Sequence, residues 1–352
     1  MNLPHPSNTE SAPVQVSAAT AGKLPGHSLL GYWHNWHSQA AAFLPLRDVP
    51  FQYDVIHIAF AASDPSRPGC MLFAPHGETS PARFRSEVQA LQGAGKRVVL
   101  SIGGANGSPA ILDGRAGRDF ADSVTGLVQQ YGFDGIDINL EGKVVLDGGD
   151  TDPLSPSSPS IVHLIEAVRA VRGRFGPDFT LSLTPETINV QGGHRLYGQA
   201  WGAYLPVIQG LRDVLTCVQV QHYNSVPILA LDGSLYSQGT ADFLVALADM
   251  LLKGFPLSGD ARHFFAGLRP EQIVIGLPAA AEAARGGFTA PAEVQKALEY
   301  LALGRSFGGQ YLLSSPRAHS RLRGVMLWSI NWDAAHDFRF SRGLRACLDA
   351  LP

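Results

Sequence analysis

Side chains capable of acid–base chemistry occupy alternate positions in one short segment of the sequence. Asp137, Asn139 and Glu141 are each separated by a single apolar residue. Because side chains alternate between the two faces of a strand, these three polar groups are expected to share one face. Two carboxyl groups buried side by side cannot both ionise cheaply, so one is expected to stay protonated near neutral pH. Such an acid is suited to general acid catalysis.

Two other interpretations of this segment are a metal site and a solvated acidic loop. Aligned Asp and Glu side chains can hold calcium or magnesium. However, Glu186 is the only further acidic residue at the ends of the neighbouring predicted strands, and no aligned His accompanies it. Cys70, Cys217 and Cys347 are scattered without the spacing of a zinc site. We therefore predict no metal and no cofactor, and the absence of glycine-rich phosphate motifs gives nucleotide binding no support.

The elements that must position these residues follow a regular rhythm. Apolar runs of strand length are expected at residues 28–33, 53–60, 97–104, 133–141, 180–186, 214–223, 273–277 and 324–330. Stretches with helical spacing separate most of these runs, and repeated βα units imply a parallel sheet covered by helices. The count of eight predicts an α/β fold. It favours a closed (β/α)8 TIM barrel, and an open doubly wound sheet is the alternative.

In such a barrel the functional groups lie at the C-terminal ends of the strands. Polar and aromatic residues concentrate at the predicted strand ends, where they are Ser101, Glu186, Gln221, Tyr223, Asn224 and Trp328, and Gly103 and Gly104 follow Ser101 at one of these ends. Packing alone does not account for polar groups at one end of so many strands.

The segment Asp134-Gly-Ile-Asp137-Ile-Asn139-Leu-Glu141 resembles the DGxDxDxE signature of glycoside hydrolase family 18, the family of chitinases. Ser101-x-Gly103-Gly104, Gln221-x-Tyr223-Asn224 and Trp328 extend the resemblance along the whole chain from about residue 28. It implies a TIM barrel that hydrolyses the β-1,4 bonds of chitin or chito-oligosaccharides.

The resemblance also implies roles for individual residues in a retaining, substrate-assisted mechanism. Glu141 would be the general acid and then the general base, and Asp137 with Asn139 would hold and polarise the acetamido group of the sugar. Tyr223 would donate its hydroxyl to the acetamido oxygen, and Trp328 would form the floor under the sugar. The signature usually carries Asp where this chain has Asn139. For Tyr223 and Trp328, packing in the core is the alternative.

The remaining site predictions concern contacts and shape. Substrate contacts are predicted for Gln221, Asn224, Glu186 and Tyr32. Structural roles at the site are predicted for Asp134, Ser101, Gly103 and Gly104. Trp33, Trp36 and Trp332 are candidates for stacking on sugar rings, and His222 is expected to pack.

Composition and length limit the classes of partner. The net charge of -3 and the lack of a basic cluster argue against nucleic acid and anionic membranes. Residues 1–27 are predicted to form a disordered arm or linker without the features of a signal peptide, and residues 28–352 the barrel. We expect a monomer, and the family resemblance implies an extracellular location.

Residues 278–324 are too few for a large inserted α+β subdomain, so we predict an open groove and endo-type cutting. The loop over residues 143–160 is expected at the rim of this groove. Two other functions remain: a lectin-like barrel that binds chito-oligosaccharides without cutting them, and an endo-β-N-acetylglucosaminidase acting on glycans. The presence of Glu141 favours an enzyme over the lectin-like barrel.

Overall fold

Eight parallel strands close into a barrel in the computed structural model, which describes residues 24–315 and 319–352. In chain order these are β1 (Ser28–His34), β2 (Val55–Ser63), β3 (Arg97–Gly103), β4 (Gly135–Asn139), β5 (Thr180–Leu183), β6 (Cys217–Gln221), β7 (Ile273–Pro278) and β8 (Gly324–Trp328). Each strand pairs with its neighbour in the chain, and β1 pairs with both β2 and β8, which closes the sheet. The predicted TIM barrel is confirmed.

Helices surround the barrel. They are α1 (Pro81–Gly93), α2 (Gly114–Tyr131), α3 (Pro159–Gly173), α4 (Leu205–Leu211), α5 (Ala241–Lys253), α6 (Pro291–Leu303), α7 (Ile330–Ala335) and α8 (Arg339–Asp349). The sequence explains several boundaries, because Asp113 and Thr240 cap the first turns of α2 and α5 with their side chains. Gly132 ends α2 with a φ of 75°, in the left-handed region that favours glycine.

Some boundaries differ from the predictions. The last strand was expected to continue to Ile330, but β8 ends at Trp328 and Ile330 begins α7. The reason is that Ser329 accepts a hydrogen bond from the Trp332 N–H and so caps a helix. The helices α4 and α7 were not predicted. Between β1 and β2 there is only a short 3-10 helix, Leu46–Asp48.

The interior of the barrel has an apolar layer and a polar layer. Inward-facing apolar side chains such as Leu30, Val99 and Met326 form a cluster of their own inside the barrel. Asp137 also faces inward, whereas its neighbours Ile136 and Ile138 pack in the larger core beneath the outer helices. The alternation predicted for this strand therefore places the carboxylate above the apolar layer.

Between β7 and β8 the described residues form a 3-10 helix at Ala281–Ala283, the helix α6 and connecting loops, so no large α+β subdomain is inserted there, as predicted. Two small hairpins instead lie between β6 and β7, one pairing Ile228–Leu229 with Leu235–Tyr236 and the other pairing Gly254–Leu257 with Asp260–Ala266. A further short strand, Met71–Leu72, pairs with the end of β2.

The predicted N-terminal arm lies mostly outside the described residues, and its disorder stays a prediction. His27, in the described part, is buried and hydrogen-bonded to the carbonyl oxygens of Leu322 and Pro352. In the described residues no helix combines the length and apolarity needed to cross a membrane. The three cysteines form no disulfide.

Candidate active site

Asp137 lies at the centre of the polar layer with no exposed surface. Its two carboxylate oxygens accept five hydrogen bonds, from Tyr32 (2.6 Å), Ser101 (2.7 Å), Ser182 (2.8 Å), Thr184 (2.7 Å) and Gln219 (3.1 Å). A carboxylate without water is stable in the interior only when its oxygens are paired in this way. These donors come from β1, β3, β5, β6 and the residue after β5, so closure of the barrel itself builds the pocket for this carboxylate.

Tyr32 was predicted to contact the substrate. The structure buries it completely, and it does not border the cavity described below. Its hydroxyl contacts Asp137 instead, and its ring packs edge-on against Trp328 at 5.5 Å. Tyr32 therefore acts on the site through Asp137 and Trp328.

Glu141 lies two residues beyond the end of β4, where two amides meet its Oε1. Gln221 Nε2 donates to Oε1 at 3.1 Å and to the Thr184 carbonyl oxygen at 3.3 Å. The terminal atom of Asn139 on this side lies 3.3 Å from Oε1 and 3.2 Å from the same carbonyl oxygen. A third neighbour, Gln221 Nε2 at 3.2 Å, is a donor, but the two oxygens can take both hydrogens of an amide nitrogen, so this atom of Asn139 is Nδ2.

Burial raises the pKa of the Glu141 carboxyl, and hydrogen bonds from Gln221 and Asn139 oppose this rise. The like charge that raises the pKa further is that of Glu186. Glu186 Oε2 accepts a hydrogen bond from the Gly142 N–H at 3.2 Å, and its backbone pairs with Gln221. A raised pKa was predicted from the sequence, but with the second charge inside the segment 137–141.

A cavity of about 470 Å³ opens above Glu141 at the C-terminal ends of the strands. Its apolar floor consists of Trp36, Phe60 and Trp328. The rings of Phe60 and Trp328 lie nearly parallel at 5.9 Å, and Trp36 lies 6.0 Å from Phe60. Phe60 was not predicted from the sequence, although an aromatic residue near the C-terminal end of the second strand is a usable signal.

Tyr223, Gln221 and Asn224 form the wall on the β6 side of this cavity. The Tyr223 side chain is almost wholly buried, and its hydroxyl has no hydrogen-bond partner among the described residues. Burial raises the pKa of Tyr223 well above its ordinary value, so the group stays a protonated donor. Asn224 accepts a hydrogen bond from the Arg285 N–H at 2.8 Å and so ties the β7 loop to this wall.

Two consecutive glycines, Gly103 at the end of β3 and Gly104 directly after it, allow that strand to approach Asn139. A Cβ on Gly103 would lie 2.5 Å from the Asn139 carbonyl oxygen, and the φ of Gly103 is 105°. The Gly104 N–H donates to that same oxygen at 2.7 Å. Both glycines thereby fix the backbone on which Asn139 is held.

Several predicted residues lie away from the cavity. Asp134 precedes β4 at the opposite end of the barrel, where it accepts a hydrogen bond from the Val98 N–H. Trp33 is buried beneath the outer helices, and Trp332 packs against the same core. His222 is buried and bonded to the Val220 carbonyl oxygen. Within the described ranges no three His, Cys, Asp or Glu residues are grouped as metal ligands.

The sequence family described as "Glycosyl hydrolases family 18" matches residues 28–296, a range that includes Asp137, Glu141 and Tyr223. The chain belongs to glycosyl hydrolase family 18.

Within family 18 the chain is similar to "Chitinase D" of Niallia circulans, at 47% identity over 97% of this chain. It is also similar to "Chitinase Chi52" of Paenibacillus xylanexedens, at 46% identity over 97% of this chain. The chain spans 66% of the length of each of these relatives. The fold is also similar to the crystal structure of a family GH18 chitinase from Chromobacterium violaceum, with a TM-score of 0.86 and 37% sequence identity. The match covers 95% of this chain and 86% of that one.

Proposed function

We propose that the protein is a retaining chitinase that hydrolyses the β-1,4 bonds between N-acetylglucosamine units by substrate-assisted catalysis. One observation carries the proposal: Glu141 is the only carboxylate among the described residues that border the cavity. An ordinary retaining glycosidase needs a second carboxylate about 5–5.5 Å away as its nucleophile. Asp137 cannot serve, because its oxygens are occupied by five donors beneath the floor of the cavity.

The substrate then supplies the nucleophile itself. The acetamido oxygen attacks the anomeric carbon as the bond to the leaving oxygen breaks, and Glu141 transfers its proton to that oxygen. A cyclic oxazolinium ion results. Water next attacks the same carbon, Glu141 takes a proton from the water, and the ring opens with retention of configuration.

The groups around the cavity suit this reaction. Tyr223 presents a free, protonated hydroxyl that would donate to the acetamido oxygen. The aromatic floor of Trp36, Phe60 and Trp328 would stack on the apolar face of the sugar. Asn139 is buried beside Glu141 and does not border the cavity, so it would act on the reaction through Glu141. Asp137 adds a fixed negative charge below the position where the positive oxazolinium ion forms.

The location, assembly state and mode of attack belong to the same proposal. Because no large subdomain is inserted between β7 and β8, we propose an open groove that admits a chain at internal positions and cuts it in the endo mode. We propose a monomer that acts outside the cell, where a polymeric substrate is accessible.

The test is incubation of the protein with chitin hexasaccharide and, in parallel, with a high-mannose glycopeptide, reading the products by mass and the anomeric configuration by NMR. The proposal expects β-configured short oligosaccharides from the hexasaccharide and no cleavage of the glycopeptide. Release of the glycan alone would indicate an endo-β-N-acetylglucosaminidase. Binding of the hexasaccharide without products would indicate a lectin-like barrel, and α-configured products would overturn retention.

A further inference from the structure

Hydrogen-bond donors are distributed unevenly between the two carboxylate oxygens of Glu141. Gln221 Nε2 lies 3.1 Å and Asn139 Nδ2 lies 3.3 Å from the same oxygen, Oε1. Among the residues that the structure describes, none donates a hydrogen bond to Oε2. Since Glu141 borders the cavity, Oε2 is the oxygen left for a ligand.

The Thr184 carbonyl oxygen fixes the orientation of both amides. It lies 3.2 Å from Asn139 Nδ2 and 3.3 Å from Gln221 Nε2. Both amide nitrogens therefore contact the same two oxygens, the Thr184 carbonyl oxygen and Glu141 Oε1. Rotating either amide would place its oxygen against two acceptors, with only the nitrogen of the other amide, 3.2 Å away, as a donor, which is unfavourable for buried polar groups. Thr184 is itself held, because its N–H donates to the Ile138 carbonyl oxygen and its hydroxyl donates to Asp137.

We propose that Asn139 and Gln221 are positioning residues that keep Glu141 Oε1 as a hydrogen-bond acceptor and thereby place the acid proton on Oε2. This inference rests on the proposed function for its relevance to catalysis. The physical reason is that a proton on Oε1 would face two N–H groups, whereas a proton on Oε2 leaves both donors satisfied. The proton thus sits on the oxygen that the substrate can reach.

The arrangement also acts on the charge that Glu141 gains in the reaction. When Oε2 gives its proton to the leaving oxygen, two N–H donors stabilise the new carboxylate at Oε1. Oε2 is then free to take the proton of the attacking water. Other titratable groups around the site are Glu186 after β5, Tyr223 after β6, Tyr204 behind Leu140, and Asp137 on β4. Glu186 and burial favour the protonated acid, and the two amides favour the carboxylate.

The first test follows the titration of Glu141 in the full, ligand-free chain by NMR with 13C at the glutamate carboxyl carbons, assigned with Glu141→Gln. Gln221→Met and Asn139→Leu each remove one N–H donor while keeping the side-chain size. Each is expected to raise the midpoint of Glu141 by about one pH unit, a tenfold rise in proton affinity. An unmoved midpoint in both variants would overturn the proposal.

The matched control is Gln272→Met. Gln272 is also a buried amide whose nitrogen donates to carbonyl oxygens, those of Arg212 and Leu215, but it precedes β7 at the opposite end of the barrel. Its removal is expected to lower stability and leave the Glu141 midpoint unchanged. A shift as large as that of Gln221→Met would mean that loosening of the fold moves the titration, and would overturn a local role.

The second test is neutron diffraction of the deuterated protein at a pH below this midpoint. Deuterium is expected on Glu141 Oε2 and on both amide nitrogens directed at Oε1. Deuterium on Oε1 would overturn the proposal. Neither test needs a substrate, so a protein that fails to cut chitin would contradict the proposed function and leave the proton assignment to be decided by these measurements alone.

Discussion

The hydroxyl of Tyr32 donates a hydrogen bond of 2.6 Å to Asp137 Oδ2, although the tyrosine itself has no exposed surface. We predict that Tyr32→Phe lowers the free energy of unfolding by about 1.5–3 kcal/mol, as expected for a lost bond to a charged group. It should also lower kcat, because Asp137 loses one of the donors that fix its orientation. Chemical denaturation and kinetics on chito-oligosaccharides measure the two effects.

Tyr53→Phe is the matched control for this prediction. The Tyr53 hydroxyl donates to Asp333 at 2.8 Å and is equally buried, but this pair lies outside the barrel interior. The control should lose comparable stability and keep its kcat. Equal losses of kcat in both variants would mean that Tyr32 contributes only to stability.

Replacement of the candidate acid should separate chemistry from binding. We predict that Glu141→Gln lowers kcat on chito-oligosaccharides by about 10²–10⁴-fold while the fold and ligand affinity persist, because an amide cannot protonate the leaving oxygen. The control is Glu293→Gln on the exposed surface of α6, where Glu293 pairs with Lys296. Turnover above a tenth of the original value in Glu141→Gln would refute the assignment.

The aromatic floor should contribute to affinity. We predict that Trp328→Ala weakens binding of N-acetylglucosamine oligomers by at least about tenfold, or ~1.4 kcal/mol, because the indole surface under the sugar is lost and water enters. Trp328→Phe keeps a ring and should retain most of the affinity. Calorimetry with a tetrasaccharide measures this, and unchanged affinity in a folded Trp328→Ala protein would leave Trp328 as a core residue.

The sequence predicted the barrel because hydrophobic periodicity is a local property that each strand carries by itself. It also predicted that Asp137, Asn139 and Glu141 share a face, since alternation along one strand is local too. What it could not give are contacts between elements distant in the chain. The five donors to Asp137 and the approach of Glu186 to Glu141 depend on the register of neighbouring strands.

Tyr32 illustrates this limit. Its position two residues after inward-facing Leu30 is consistent with an inward side chain. The sequence does not reveal how deep in the barrel that side chain ends, and hence whether it meets a substrate or a buried carboxylate. The orientation of the Asn139 amide depends in the same way on the carbonyl oxygen of Thr184, which follows some 45 residues later in the chain.

Position 139 carries Asn where the family 18 signature usually carries Asp, and this difference affects how the activity depends on pH. Glu141 must be protonated to act as an acid, so kcat falls as the pH rises through the pKa of Glu141 in the complex. The amide of Asn139 donates to Glu141 Oε1 and holds this pKa down against burial and Glu186. Asn139→Asp replaces the donor by a carboxylate of like charge, and both changes raise the pKa of Glu141.

We therefore predict that Asn139→Asp moves the basic limb of the kcat–pH profile to higher pH. Turnover should also rise if the added negative charge offsets the positive oxazolinium ion, since such charges act strongly in a site shielded from water. The measurement is kcat against pH for both proteins on one oligosaccharide, with Asn139→Leu as the control that removes the donor without adding charge. Asn139→Leu should shift the limb upward by less than Asn139→Asp and should not raise turnover. A basic limb that stays in place or moves to lower pH in Asn139→Asp would show that Asn139 is not coupled electrostatically to Glu141.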